Sequence, residues 1–493
     1  MRPQARAQEP VVNNGDRPRP NILFAIADDA SHMSAYGHDF LHTPHFDRVA
    51  AEGVLFTHVY TTNPKCAPSR ASILTGRHTW QLEEASCHFG IFPSKFAVYP
   101  DLLEAAGYHV GHTGKGWGPG DYEAGGFTRN PAGPAYHGAQ LDPPTTGISK
   151  KDYAYNFDRF LDERPDGAPF CFWYGAHEPH RAYEQGSGER AGRRTADITP
   201  PAYLPDEEIV RSDLLDYALE VEWFDEQLGR MLAKLEEMGE LDDTLVVVTS
   251  DNGMPFPRVK GQMYEQDFNM PFAARWGAGV EGGRVVTDFV SFRDIGPTFL
   301  EAAGLGPHEG MTGSSFLGVL TSGEDGRVDA SRDHVLMGRE RHDLGREGDL
   351  GYPVRVIRAD ECLYVRNYEP DRWPAGNPET GFTNMDSSPT RTLILEQHDA
   401  GEDTYFDLAM GKRPAEELYR AEDDPECMHN LAADPAHAKL KEQLRTRMEA
   451  ELAEQSDPRL LGKAAVFDTY EYVGDSSHSW KAYVAGTWKR PNY

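Results

Sequence analysis

The chain has 493 residues, of which 39% are apolar, 11% aromatic and 26% charged. These values exclude a wholly disordered chain, and the length exceeds one small core, so a large domain with a smaller companion is expected. Its 49 basic and 79 acidic residues leave a net charge of −30, which disfavours nucleic acid or an anionic membrane as partner and means that an anionic substrate must be drawn by a local basic pocket.

Residues 1–18 read as a disordered arm, polar and rich in Pro and Arg, with no apolar stretch of the kind that directs secretion. Ala5-Arg6-Ala7 does resemble the small-x-small end of such a leader, so a longer precursor stays open beside a plain arm. No run approaches the roughly 18 apolar residues of a membrane span. The cysteines Cys66, Cys87, Cys171, Cys362 and Cys427 are scattered and odd in number, which offers neither metal-ligand spacing nor a disulfide framework. No repeat is visible at solenoid periods.

Residues 21–26 form a short apolar run, as a strand buried on both faces would, and it stops at Asp28-Asp29. Thr43-Pro44 opens a helix, with Thr43 at the N-cap, and Gly53 closes it. Residues 100–107 repeat the helix-then-glycine pattern and lead into a strand at 108–111. A second buried strand is expected at 170–174, followed by His177-Glu178-Pro179-His180. Residues 213–238 carry the clearest helical stripe, ended by Gly239. A β-branched strand at 245–248 then stops at Asp251-Asn252-Gly253, and further elements are expected at 270–276 and 294–303. Strands alternating with amphipathic helices predict an α/β fold with a mostly parallel sheet covered on both faces. Ligands of such sheets sit beyond the carboxyl ends of the strands, where all three polar clusters fall.

From about residue 331 the texture changes. Residues 352–368 suggest antiparallel strands, 366–390 a loop stretch and 434–454 a polar amphipathic helix. A catalytic domain over 19–330 and a smaller α+β domain over 331–493, contributing to the substrate pocket, are expected.

The sharpest segment is Cys66-Ala67-Pro68-Ser69-Arg70, continuing to Leu74-Thr75-Gly76. Pro68 can start a helix and Gly76 can end it, which puts Cys66 at a helix N-terminus where free N–H groups favour an anion. Arg70 returns to the same side one turn later. A nucleophile, an anion-binding helix end and a guanidinium together suit a tetrahedral oxyanion.

This segment resembles the signature of the formylglycine-dependent sulfatases, Cys-x-Pro-Ser-Arg-x-x-x-Leu-Thr-Gly, of the alkaline-phosphatase-like superfamily. The resemblance implies that Cys66 is oxidised to formylglycine by a maturation enzyme and that its hydrated aldehyde is the nucleophile. Asp28 and Asp29 resemble the family's first metal pair, and Asp251 and Asn252 the second. With residue 66 they would hold calcium, a hard cation suited to such oxygens. Lys115, in Thr113-Gly114-Lys115, resembles the sulfate-contacting lysine. His180 matches the general acid, with His177 structural. Lys260 fits the slot of a basic residue past Asn252, with Arg258 as competitor.

The chain departs from the family pattern at Trp117, where many members carry the histidine that deprotonates the sulfated intermediate. His88 and His112 are the candidate substitutes. The stretches around His180 and Asn252 look closest to the heparan N-sulfatase (sulfamidase) branch. The resemblance implies a sulfatase acting on sulfate esters or sulfamates of a carbohydrate, in a periplasmic or secreted setting. Two alternatives stay open: a phosphonate monoester hydrolase or phosphodiesterase of the same superfamily, and a catalytically silent glycan-binding relative. A substrate pocket is expected from loops around 122–137 and 181–195, with Arg355, Arg366, Asp371 and Arg372.

Overall fold

The computed structural model describes residues 19–489. The arm expected over residues 1–18, with its Ala5-Arg6-Ala7 segment, lies outside them. The main sheet is built from β1 (Asn21–Ala27), β2 (Val54–Phe56), β3 (His109–Gly114), β4 (Phe170–Gly175), β5 (Thr244–Ser250), β6 (Phe272–Arg275) and β7 (Arg284–Val286). These seven strands lie in the order β7-β2-β6-β5-β1-β4-β3. Every neighbouring pair is parallel except the two made by β6.

Side chains of a strand alternate between faces, so a strand apolar at every position must be covered on both. Ile22, Phe24 and Ile26 of β1 enter one core, with Ala67 and Leu74 of α2 (Cys66–Thr75), Leu103 of α3 (Tyr99–Ala105) and Phe299 of α6 (Ile295–Ala302). Leu23, Ala25 and Ala27 enter the other, with Val49 of α1 (Pro44–Glu52), Phe157 of α4 (Tyr153–Asp162) and Val221 and Phe224 of α5 (Glu208–Met238). The expected two-faced α/β sheet is the one observed.

Local departures have local causes. α1 starts at Pro44 and stops at Gly53 as expected, but the Thr43 side chain does not cap it. The Thr43 hydroxyl is engaged by Ser34, and Asp225 of α5 accepts from the first-turn N–H groups of His45 and Phe46 at 3.0 and 2.6 Å instead. α2 begins at Cys66, so Pro68 sits inside the first turn and does not open it. At its other end Gly76 adopts φ +61°, the left-handed conformation that favours glycine at a helix end.

A second sheet of four strands, β8 (His334–Arg339), β9 (Val354–Ala359), β10 (Cys362–Asn367) and β11 (Glu416–Arg420), is antiparallel throughout and follows chain order. One face packs Leu336, Ile357, Tyr364 and Leu418 against Leu444, Met448 and Leu452 of α7 (Ala438–Glu454). The other packs Val335, Met337 and Val356 against Tyr60, Met263 and Phe289. Among the described residues no helix is long and apolar enough to cross a membrane, and all five cysteines are free and buried.

Candidate active site

The order β5-β1-β4-β3 places four parallel strands side by side, so their carboxyl ends reach one rim. The register makes this concrete: Ala27 pairs with Ser250, Ile26 with Gly175, and Gly175 with Gly114. The next residues of these strands are Asp28, Asp251, Ala176 and Lys115. Clusters far apart in sequence therefore meet because the sheet is parallel and in register.

Asp29 has φ +76°, a left-handed conformation that costs a non-glycine residue on the order of 1–3 kcal/mol and recurs at functional sites. With this turn both consecutive carboxylates serve the site. Asp28 meets Lys115 Nζ at 2.6 Å, and Asp29 accepts from Lys260 Nζ at 2.6 Å and Asn252 Nδ2 at 2.8 Å. Burial alone would raise the Asp28 carboxyl, but Lys115, His180 and Arg70 hold it well below the usual carboxylate range.

The first turn of α2 closes over this rim. Ser69 Oγ donates to the Asp251 carbonyl at 2.6 Å, and Arg70 Nε donates to Asp251 Oδ2 at 2.7 Å. Arg70 Nη1 donates to the Lys115 carbonyl at 2.6 Å. These bonds fix Cys66, the first residue of α2, so that one ligand atom each from Cys66, Asp28 and Asp251 lies within 4.8 Å of the others.

His180 is half-buried, with Nδ1 2.6 Å from the Arg181 carbonyl and Nε2 3.9 Å from Asp29 Oδ2. A carbonyl only accepts, so Nδ1 carries a proton and Nε2 faces the carboxylates. Arg181 is itself locked by Asp213 at 2.7 and 2.9 Å, which steadies the loop. The adjoining cavity, about 650 Å³, is lined by Asp28, Cys66, Lys115, His177 and His180 among others.

A match to the family model described as Sulfatase spans residues 20–305. The chain belongs to the sulfatase family. It is 30% identical to the human N-sulphoglucosamine sulphohydrolase over 92% of this chain and 93% of that protein. It is 26% identical to an ulvan-active sulfatase of Formosa agariphila over 91% of this chain and 77% of that one. Among solved structures, one in complex with its substrate D-glucosamine-2-N,6-O-disulfate superposes with a TM-score of 0.65. It is 21% identical, and the match covers 89% of this chain and 99% of that one.

The donor set fits the cation this family implies. Asp28 Oδ1 and Asn252 Oδ1 are buried without hydrogen-bond partners, and the Asn252 amide is oriented by its bonds to Asp29 and Gly253. Unmet buried oxygens beside two further carboxylates suit a hard cation.

The structure also sorts the competing residues. Lys260 faces Asp29 and Asp386, at 2.6 and 2.9 Å, whereas Arg258 turns away to the carbonyls of Leu408 and Cys427. His177 lines the cavity, and burial pushes its imidazole down to about 3. Trp117 is an apolar anchor: its indole N–H donates to the Ala67 carbonyl at 3.0 Å and its ring packs on Phe92. Of the two candidate substitutes, His112 is held by the Gly133 carbonyl at 2.9 Å against His137. His88 instead brings Nε2 to 3.4 Å from Cys66 Sγ.

The expected pocket arginines require correction. Arg355 is fully buried between Asp457, at 2.7 Å, and Glu340, at 2.8 Å. Arg366 lies beside Glu416, and Arg372 donates to the Gly351 carbonyl at 2.8 Å. Their charges are engaged by neighbours within the second sheet and its loops. Asp343, Thr383 and Asp386 line the cavity from this part of the chain instead, together with Lys65 and Phe89, which carried no motif signal. Gly118 and Pro119 line it in place of the expected loop over 122–137.

Proposed function

We propose that this chain hydrolyses sulfate esters or sulfamates on a sulfated carbohydrate, with Cys66 oxidised to formylglycine and calcium held by Asp28, Asp29, Asp251, Asn252 and residue 66. The observation that carries this reading is the setting of Cys66: it opens α2 within reach of Asp28 and Asp251, beside Lys115 and Arg70, and lines a cavity with His180. The names of the relatives, an N-sulphoglucosamine sulphohydrolase and an ulvan-active sulfatase, support a sulfated saccharide. The cavity volume falls in the small-ligand range.

Calcium would supply Lewis-acid charge at the sulfuryl oxygens. The oxidised side chain of residue 66, as its hydrate, would supply the oxygen that attacks sulfur. The other roles fall to the chain. Arg70 is held rigidly on two sides, and its Nη2 has no hydrogen-bond partner, which leaves a fixed donor for a sulfuryl oxygen. Lys115 acts as a point charge on the same group, and Lys260 adds charge near the leaving oxygen. With Nδ1–H committed to the Arg181 carbonyl, Nε2 of His180 delivers a proton to the leaving oxygen or nitrogen from the doubly protonated ring, which is left neutral with its remaining proton on Nδ1. Residues 19–330 form the catalytic domain in this reading, and residues 331–493 a smaller one that completes the pocket. Because Cys66 is only 1% exposed, a formylglycine-generating enzyme must reach it before the chain folds.

Rates on a panel of N- and O-sulfated monosaccharides, set beside an aryl sulfate and an aryl phosphonate, test the reaction. Sulfate release from at least one saccharide, at a higher kcat/KM than phosphonate hydrolysis, is expected. Faster phosphonate cleavage would move the chain to the monoester-hydrolase reading. Saccharide binding without turnover, with residue 66 oxidised, would make it a silent binder.

A further inference from the structure

The residue that meets the thiol of Cys66 comes from outside the motifs. His88 places Nε2 3.4 Å from Cys66 Sγ and Nδ1 3.0 Å from Asp343 Oδ1. Both side chains are buried. A carboxylate only accepts, so Nδ1 donates to Asp343 and the lone pair on Nε2 points at residue 66. Asp343 is fixed in turn: its backbone N–H donates to Asn384 Oδ1 at 3.1 Å, and its second carboxylate oxygen faces Lys65 Nζ at 3.4 Å. A base aimed at a reacting group and oriented by a third residue is the arrangement of a catalytic relay. Meanwhile the slot at Trp117 offers no base, since its only ring nitrogen donates to the Ala67 carbonyl.

We propose that His88, oriented by Asp343, is the general base that frees sulfate from residue 66. This rests on the sulfatase reading above, with Sγ standing where a hydroxyl of the hydrated aldehyde would be. After sulfur transfer, Nε2 of His88 takes the proton of the remaining hydroxyl. The O–H electron pair becomes the second bond of the carbonyl, the bond from carbon to the sulfate oxygen breaks, and its pair leaves on sulfate. Water then adds back to the aldehyde, so no oxidant or reductant is consumed. His88 is a catalytic residue in this assignment and Asp343 a positioning residue. The chemistry recruits the second part of the chain, through Asp343, to the step that the catalytic segment cannot complete alone.

The test is intact mass spectrometry of His88→Gln after mixing with an aryl sulfate, alongside the unaltered enzyme and Asp343→Asn. We expect His88→Gln to release about one equivalent of phenol in a burst and then stall, with the peptide containing residue 66 about 80 Da above its hydrated form and so about 98 Da above the aldehyde. Steady turnover should fall by about 100-fold or more. Asp343→Asn should show the same adduct with a smaller loss, a split that a merely structural role would not produce. Normal turnover by His88→Gln without an adduct, or loss of the burst in a variant that is folded by circular dichroism and oxidised at residue 66, would overturn the assignment. An unaltered enzyme that lacks oxidation at residue 66 yet releases sulfate would instead overturn the reading on which it rests.

Discussion

At the scale of single residues, the site is organised by which polar atoms are already committed. Arg70 spends Nε and Nη1 on Asp251 and the Lys115 carbonyl, and His180 spends Nδ1 on Arg181. The atoms left over are the ones given chemical roles. The same bookkeeping explains why His112 is structural: burial pushes its imidazole down to about 4, despite its bond to the Gly133 carbonyl. Because its folded pKa lies below the ordinary value near 6.5, the unfolded chain takes the proton first as pH falls. His112 therefore contributes stability that is present above about pH 6.5 and lost as pH drops toward 4, at no more than about 1.4 kcal/mol per pH unit. His112→Gln should flatten this part of the curve, read as the denaturation midpoint at pH 7, 6, 5 and 4. An unchanged slope would mean that His112 is not held neutral.

At the scale of elements, motif and scaffold were unequally legible in the sequence. The buried strands β1, β4 and β5 were readable because a parallel strand covered on both faces is apolar at every position. Asp28 and Asp251 were readable because they follow strand ends, and Cys66 because its motif is local and opens a helix. The start of α1 at Pro44 was also legible, but its cap was not, because the cap comes from the distant Asp225 and no local pattern encodes it. His88 was legible only as one of two candidates for the base missing at Trp117, and Asp343 carried no signal, because only the packed loops bring them to Cys66. Asp225→Ala leaves two first-turn N–H groups of α1 without their acceptor, and should cost about 1–2 kcal/mol. Thr43→Val, which touches no such N–H group, should leave α1 capped. Urea denaturation of both variants decides between them, and a larger loss for Thr43→Val would reverse the assignment of the cap.

At the scale of the whole molecule, the second sheet is attached through a buried face and contributes acidic and polar groups to the cavity wall. Lys65, Arg70, Lys115 and Lys260 gather at one rim, but each is paired with a carboxylate, so against the net charge of −30 a bound cation would supply the positive balance that an anion needs. Arg355 belongs to the structure of the second part: with Asp457 and Glu340 it forms a buried ionic cluster. Removing it leaves the buried Asp457 without its cation, while Glu340 keeps Arg459, so Arg355→Ala should cost about 3–5 kcal/mol. KM for a sulfated sugar should stay unchanged in the folded fraction. A raised KM at unaltered stability would return Arg355 to substrate recognition.

The central claim is that residue 66 acts as formylglycine in a sulfatase. Peptide mass spectrometry across residue 66 of active protein, from a host with the maturation enzyme, measures it most directly when paired with sulfate release. We expect a loss of about 18 Da at the peptide containing Cys66, the change from a thiol to an aldehyde, in proportion to activity across preparations. An unmodified thiol in protein that releases sulfate, or full oxidation with no sulfate released from any sulfated sugar or aryl sulfate, would contradict it.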